Sequence, residues 1–213
     1  MQTTLVIGTY NPNKEWLQEA IQSSEGLFDE TIIVDDGSDE KIEQATVTHE
    51  TNKGFYQARN TGCSLAQGEW IVSLDDDDIF IRENVVELLE VIKTTDAEII
   101  TFPIELFGST SGLWAEQPSP QDILNTNQFP SGSWFRKSVW EELQGFQIST
   151  AEDWDFWARA TKSKKRILHF TKPIYRHRIR VDSISSQWTG EKFLSIREQI
   201  IKNYNLWQPR EAQ

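Results

Sequence analysis

The stretch "EWIVSLDDDDIF" (69–80) sets a strand-like run against a cluster of acids. Trp70 to Leu74 form a short apolar run that stops at four aspartates, Asp75 to Asp78. The run reads as a buried strand, and the acids stand directly at its carboxyl end. Adjacent like charges repel, and burying them is costly unless something positive sits among them. In open α/β sheets, ligands bind where the carboxyl ends of the strands meet. A hard divalent cation with oxygen ligands is therefore the expected positive charge.

The neighbouring segments alternate in type. "TTLVIGTYN" (3–11) opens with a β-rich run ending at Gly8. "NKEWLQEAIQSS" (13–24) carries apolar residues at 16, 17, 20 and 21, a helical spacing, with Asn13 at the N-cap. "TIIVDDGSDE" (31–40) predicts a second strand that ends in Asp35, Asp36 and a glycine turn. Residues 52–70 predict a glycine-started helix that stops near Gly68, 82–95 an amphipathic helix, and 97–107 one further strand. Residues 108–133 are rich in Ser, Gly, Pro, Asn and Gln, and predict a long surface loop with one short helix. Helices follow over 137–146, capped at Gly145, over 153–163 and over 190–207. This alternation predicts an α/β sandwich with a largely parallel sheet.

The chain has 213 residues, enough for one sizeable core. Its 38% apolar and 25% charged residues suit a soluble globular protein. A net charge of −12 argues against nucleic-acid binding, which runs on Lys and Arg. No apolar run approaches the roughly 20 residues needed to span a bilayer, and no signal peptide is visible. Cys63 is the single cysteine, so it has no internal disulfide partner and reads as a small buried residue. A reduced, cytoplasmic setting is the expectation. The charge is uneven, however: Arg159 to Arg180 holds nine of the 21 Lys and Arg and no acid. Separate acidic and basic regions predict a cation held at one place and an anion at another.

The ligand chemistry narrows further. One or two carboxylates suit Mg²⁺ or Mn²⁺ carried on a substrate diphosphate. The EF-hand pattern lacks its glycine and distal Glu, one Cys and three His supply no zinc set, and neither G-x-G-x-x-G nor a P-loop is present.

Taken in order, "TYN", "VDDGSDE", "NKGFYQARNTG", "LDDDD", "AEDWDFW" and "YRHRIRVDSIS" resemble the family 2 glycosyltransferases. The likeness runs from about residue 4 to 186. It implies the GT-A fold, a Rossmann-like sandwich with a mostly parallel central sheet flanked by helices. It implies an inverting enzyme that moves sugar from a nucleotide-diphosphate sugar to a sugar, glycolipid or glycan acceptor, in surface polysaccharide or glycoconjugate assembly. Thr9 and Tyr10 would lie at the nucleotide, with the Tyr10 ring against the base. Asp36, with Asp35 as the second candidate, would accept from a base N–H. Arg59 and Asn60 would line the nucleotide. Asp75 or Asp76 would contact the ribose, and Asp77 would hold Mn²⁺ or Mg²⁺. Asp78 would be an N-cap or support its neighbours. In the pair Glu152-Asp153, Asp153 would be the general base. The likeness implies one glycosyltransferase domain over 1–186, its nucleotide part about 1–107 and its acceptor part about 108–186, followed by a C-terminal helix and tail, 187–213.

The sequence departs from the family pattern before "SIS". Many relatives carry a histidine where Arg180 stands, and His177 is the substitute metal ligand expected here. Arg178 and Arg180 are expected to meet the diphosphate, since Arg makes two-pronged contacts to phosphate. Arg176, Arg178 and Arg180 would share one strand face, with His177 on the other. Lys162, Lys164, Lys165 and Arg166 favour a helix C-terminus, and the bolder expectation is a peripheral contact with the inner face of a membrane. His49 and His169 read as ordinary surface or packing residues. Trp140 and Trp157 read as core, whereas for Trp134 and Trp154 core and sugar contact stand as equal alternatives. Two rival functions remain, a non-catalytic nucleotide-sugar binder, which would not need Asp153, and a sugar-phosphate nucleotidyltransferase, whose basic glycine-rich loop is absent.

Overall fold

The structure, a computed structural model, describes residues 2–115, 118–119, 122–148, 150–180 and 190–208. The chain order is β1 (Thr3–Thr9), α1 (Lys14–Ser24), β2 (Glu30–Asp35), β3 (Val47–Thr48), α2 (Phe55–Leu65), β4 (Trp70–Asp75), β5 (Ile79–Phe80) and α3 (Arg82–Val91). There follow β6 (Ile99–Thr101), β7 (Ile104–Gly108), β8 (Gly112–Trp114), β9 (Trp134–Arg136), α4 (Lys137–Glu142), α5 (Glu152–Lys162), β10 (Ile167–His169), β11 (Tyr175–Ile179) and α6 (Gly190–Leu206).

The main sheet has seven strands in the order β10-β6-β9-β4-β1-β2-β3. Its pairs are parallel except where β9 inserts antiparallel between β4 and β6. All seven residues of β1 are buried, as expected for a strand covered on both faces. Alternation sends Val6 into one core, with Ala58, Phe156 and Trp157, and Leu5 and Ile7 into the other, with Leu17, Val85 and Leu88. Helix α2 lies very close to β1, since a Cβ at Gly62 would come within 2.3 Å of Val6 Cγ1. Asn13 caps α1 through its side chain, which accepts from the N–H groups of Glu15 and Trp16.

A smaller sheet, β5-β11-β7-β8, stands beside the first. It arises because the single strand expected over 97–107 breaks at Pro103. Thr101 ends β6 in the main sheet, and Ile104 starts β7 in the other. The expected surface loop over 108–133 is also corrected. It contributes β8, and it sends Ile123 and Phe129 into the core, where Phe129 stacks on Trp157 at 5.1 Å. Helix α4 ends at Glu142, short of Gly145. Gln144 and Gly145 both take positive φ there, and Gly145 N–H returns to the Trp140 carbonyl. Trp134 and Trp154 are fully buried, so both belong to the core, and Trp154 stacks on Phe193.

Candidate active site

The parallel register brings three carboxyl ends to one level. Gly8 of β1 lies opposite Asp75 of β4, and Thr9 lies opposite Asp35 of β2. The ring of Tyr10 stands 47% exposed at this edge, free to cover a flat ligand. Gly37 turns the chain after β2 with φ of +80°, and a Cβ there would strike the Thr51 carbonyl carbon at 2.6 Å.

Asp36 is buried and tied inward. Its Oδ1 is 2.6 Å from His49 Nδ1 and accepts from Lys53 N–H, while its Oδ2 accepts from Gly54 N–H at 2.8 Å. His49 Nε2 in turn meets the Thr61 hydroxyl at 2.9 Å. Of the two expected readings, surface or packing, His49 takes the packing one, and its two ring nitrogens link the residue after β2 to α2. Asp35 is equally buried, and its Oδ1 accepts from Ser38 N–H.

Each of the four consecutive aspartates has its own partner within the chain. Asp75 Oδ1 accepts from Arg59 Nη2 at 2.8 Å. Asp76 Oδ2 accepts from the Thr9 hydroxyl at 2.6 Å. Asp77 lies 3.3 Å from Arg180 Nε. Asp78, fully buried, meets His177 Nδ1 at 3.0 Å and accepts from Arg178 N–H. Part of the positive charge that the sequence demanded is therefore Arg59, Arg180 and His177. Burial still raises the carboxyls: Asp76 is pushed up to about 6, and Asp77 and Asp78 also move upward. His177 loses by desolvation but gains more from Asp78 and the neighbouring acids, which push it up to about 9.

The expected metal pair, Asp77 with His177, is not what the geometry gathers. Ligand atoms of Asp75, Asp78 and His177 lie within 4.8 Å of one another, whereas Asp77 faces Arg180. Asp78 does not cap α3, whose N-cap is Ile81. The turn from β4 into β5 instead aims it at β11.

The second acidic group opens α5. Ala151, buried and left-handed with φ of 57°, sets the direction in which Glu152 and Asp153 leave the helix start. A non-glycine residue in that region stores roughly 1–3 kcal/mol, a strain found at functional sites. Asp153 Oδ2 accepts from Asn127 Nδ2 and its Oδ1 from Trp154 N–H, both at 2.8 Å. Glu152 lies 3.3 Å from Arg59 Nη1. Burial raises both carboxyls, Glu152 to about 7, and Arg59 opposes the rise. Asn127 comes from the segment without periodicity, which gave no sign of it.

Arg59 thus joins the two acidic groups. Asn60 points elsewhere. Its amide donates to the Phe146 carbonyl and accepts from Trp140 Nε1 and Phe146 N–H, so it braces the turn after α4. Arg178 lies between the Trp16 and Phe107 rings and donates to Glu19 and to the Asp77 carbonyl. Arg180 lies over Trp16 as well, and Arg176 pairs with Glu105. The segment "DSIS" lies outside the described residues. In the basic turn, Lys162 caps the C-terminal carbonyls of α6, Lys165 pairs with Glu98 and Glu142, and Arg166 pairs with Asp96 and Glu98. No helix among the described residues is long and apolar enough to cross a membrane.

The chain resembles an uncharacterised glycosyltransferase of Bacillus subtilis, YwdF, at 30% identity over 76% of this chain and 69% of that protein. It resembles the glycosyltransferase GlyG of Streptococcus pneumoniae at 33% identity over 46% of this chain and 37% of that one. Among solved structures, TarS 1–349 of Staphylococcus aureus, in complex with UDP-GlcNAc, has the same fold. Its TM-score is 0.72 at 17% identity, over 95% of this chain and 66% of that one. The relatives are thus longer, and this chain spans between about a third and two thirds of their length. The model for glycosyl transferase family 2 matches residues 4–147, a span that carries β1, β2, β4 and the four aspartates, and the chain belongs to that family.

Proposed function

We propose that this chain transfers a sugar from a nucleotide-diphosphate sugar to an acceptor hydroxyl, with inversion. The observation that carries the reading is the pair of acidic groups, Asp75–Asp78 and Glu152-Asp153, bound to each other through buried Arg59. The Asp153 carboxylate would take the proton of the acceptor hydroxyl as that oxygen attacks the anomeric carbon. Asn127 and Trp154 N–H hold the carboxylate in orientation. Tyr10 would cover the base, with Asp35 and Asp36 at its polar edge. Asp76, held by Thr9, would face the ribose, and Arg178 and Arg180 would border the diphosphate.

Two carboxylates and one imidazole fit Mn²⁺, and Mg²⁺ less well because of the nitrogen. When bound, such an ion would offset the charge of the leaving diphosphate. Asp75, Asp78 and His177 would hold it, the imidazole giving up its proton as the ion binds. Lys162, Lys165 and Arg166 make their contacts inside the chain, so no membrane contact is included.

Calorimetric titration with UDP, GDP and dTDP, with and without Mn²⁺, tests the donor half. At least one diphosphate is expected to bind, and Mn²⁺ should tighten it roughly tenfold, about 1.4 kcal/mol. Asp78→Asn is expected to lose that enhancement and Asp77→Asn to keep most of it. The reverse order would return the metal to Asp77. No binding of any diphosphate would sink the reading.

A further inference from the structure

Arg59 is placed oddly for a residue whose only task is to touch a nucleotide. Its side chain is 2% exposed. Nη2 donates to Asp75, at the end of β4, and Nη1 faces Glu152, at the start of α5. Phe55 and Phe146 lie near the guanidinium, with ring centroids 4.6 and 5.8 Å from its central carbon. The Phe55 ring is itself close to Gly8 of β1, where a Cβ would come within 3.1 Å. The guanidinium is therefore fixed in place between the two acidic groups. One end of it is incompletely satisfied: Nη1 is buried, lies at ion-pair distance from Glu152, and makes no aligned hydrogen bond. A buried N–H left without a partner carries a desolvation cost that a small movement of α5 toward Arg59 would remove.

We propose that Arg59 is a positioning residue that links the donor end of the site to the base, holding α5 aligned through Glu152, the neighbour of Asp153. The inference rests on the glycosyltransferase reading above. In the free chain Arg59 is shared between Asp75 and Glu152. When a donor and its cation draw on Asp75, more of the guanidinium's charge is left for Glu152 and, beside it, Asp153. The charged groups facing Asp153 are Arg59 from α2, Asp75 from β4 and Glu152 on its own helix, with Asn127 as the neutral donor. Arg59 is the cation in that set. Its removal leaves burial and mutual repulsion opposed, at Asp153, only by the hydrogen bonds from Asn127 and Trp154 N–H, so the base takes up a proton at higher pH than before.

The experiment measures hydrolysis of whichever donor the parent uses from a panel of UDP-GlcNAc, UDP-glucose, GDP-mannose and dTDP-glucose, with Mn²⁺, from pH 5 to 9. Water replaces the acceptor, so the base is still required. Arg59→Met is expected to lower kcat at pH 7 by roughly 10²-fold, the usual size of a lost general base. The acid limb of its kcat profile should move to higher pH, with KM for the donor changed less than about threefold, well within a tenfold step of affinity. Arg59→Lys keeps the charge without the fork, so it should recover part of kcat and bring the limb back. Glu152→Gln removes a like charge beside Asp153 and should move the limb the opposite way. It also serves if Arg59→Met does not fold. A raised KM with kcat and limb unchanged would make Arg59 a plain donor contact and overturn the link. A limb shifting the same way in Arg59→Met and Glu152→Gln would overturn it too. A parent that hydrolyses no donor and binds no nucleoside diphosphate would overturn the glycosyltransferase reading, and the link with it.

Discussion

Asp153→Asn should leave nucleoside-diphosphate binding within about twofold of the parent and lower turnover by roughly 10²–10⁴-fold. The two halves of this result have separate causes. Asp153 stands at the start of α5, and its oxygens are used by Asn127 and Trp154 N–H, not by the Asp75–Asp78 group. The donor end therefore loses nothing directly. The amide is nearly the same shape and keeps one oxygen as an acceptor, so the helix start should survive. It has no lone pair basic enough to take a hydroxyl proton, so chemistry fails where binding does not. A steady-state assay beside a calorimetric titration reads both halves. Near-normal turnover would move the base elsewhere, with Glu152 the next carboxylate in place.

The second large effect is on stability. Arg159 and Asp155 are both about 99% buried or more, one turn apart on α5. Arg159 Nε donates to Asp155 at 2.8 Å, Nη2 donates to the Gly145 carbonyl at 2.9 Å, and Nη1 reaches the Leu143 carbonyl. Asp155 also accepts from Asn203 of α6. One ion pair thus fastens the turn after α4 and the last helix onto α5, the helix that presents Glu152 and Asp153. Arg159→Met leaves Asp155 charged and unpaired in the core, so a loss of roughly 3–5 kcal/mol is expected. For a chain of this length, each kcal/mol moves Tm by about 2–4 °C, so Tm should fall by about 6–20 °C. The double variant Arg159→Met, Asp155→Leu should recover part of the loss. Full recovery is not expected, because the Leu143 and Gly145 carbonyls stay without their donor. Thermal unfolding of the three proteins decides the point. A single variant within about 1 kcal/mol of the parent would show that water reaches Asp155 and that the pair is not sealed.

The difference between what was legible and what was not has a physical basis. Strands β1, β2 and β4 could be read because each is a run of apolar residues buried in the sheet's centre, and α1 because its apolar spacing and Asn13 cap agree. Strands β3, β9 and β10 have two or three residues each, too few to show a period. Strand β9 in particular exists because β4 and β6 leave a place between them, a tertiary fact with no local mark. The acids could be read for a similar reason, being clustered and abrupt. Their cations could not. Arg180 stands 103 residues after Asp77, and His177 99 residues after Asp78, so chain folding alone brings them together. Arg59 was visible in "ARN", but its burial between Asp75 and Glu152 depends on Phe55, Phe146 and the direction set by Ala151. The expectation that an external ion alone supplies the positive charge was incomplete for that reason.

Proton NMR of the chain with Mn²⁺ and the donor it binds follows the anomeric signal as the nucleoside diphosphate is released to water. A single displacement assisted by Asp153 predicts that the first sugar to appear carries the anomeric configuration opposite to that of the donor, before mutarotation equalises the two forms. Sugar released first with retained configuration, or no release from any donor that binds, would contradict it.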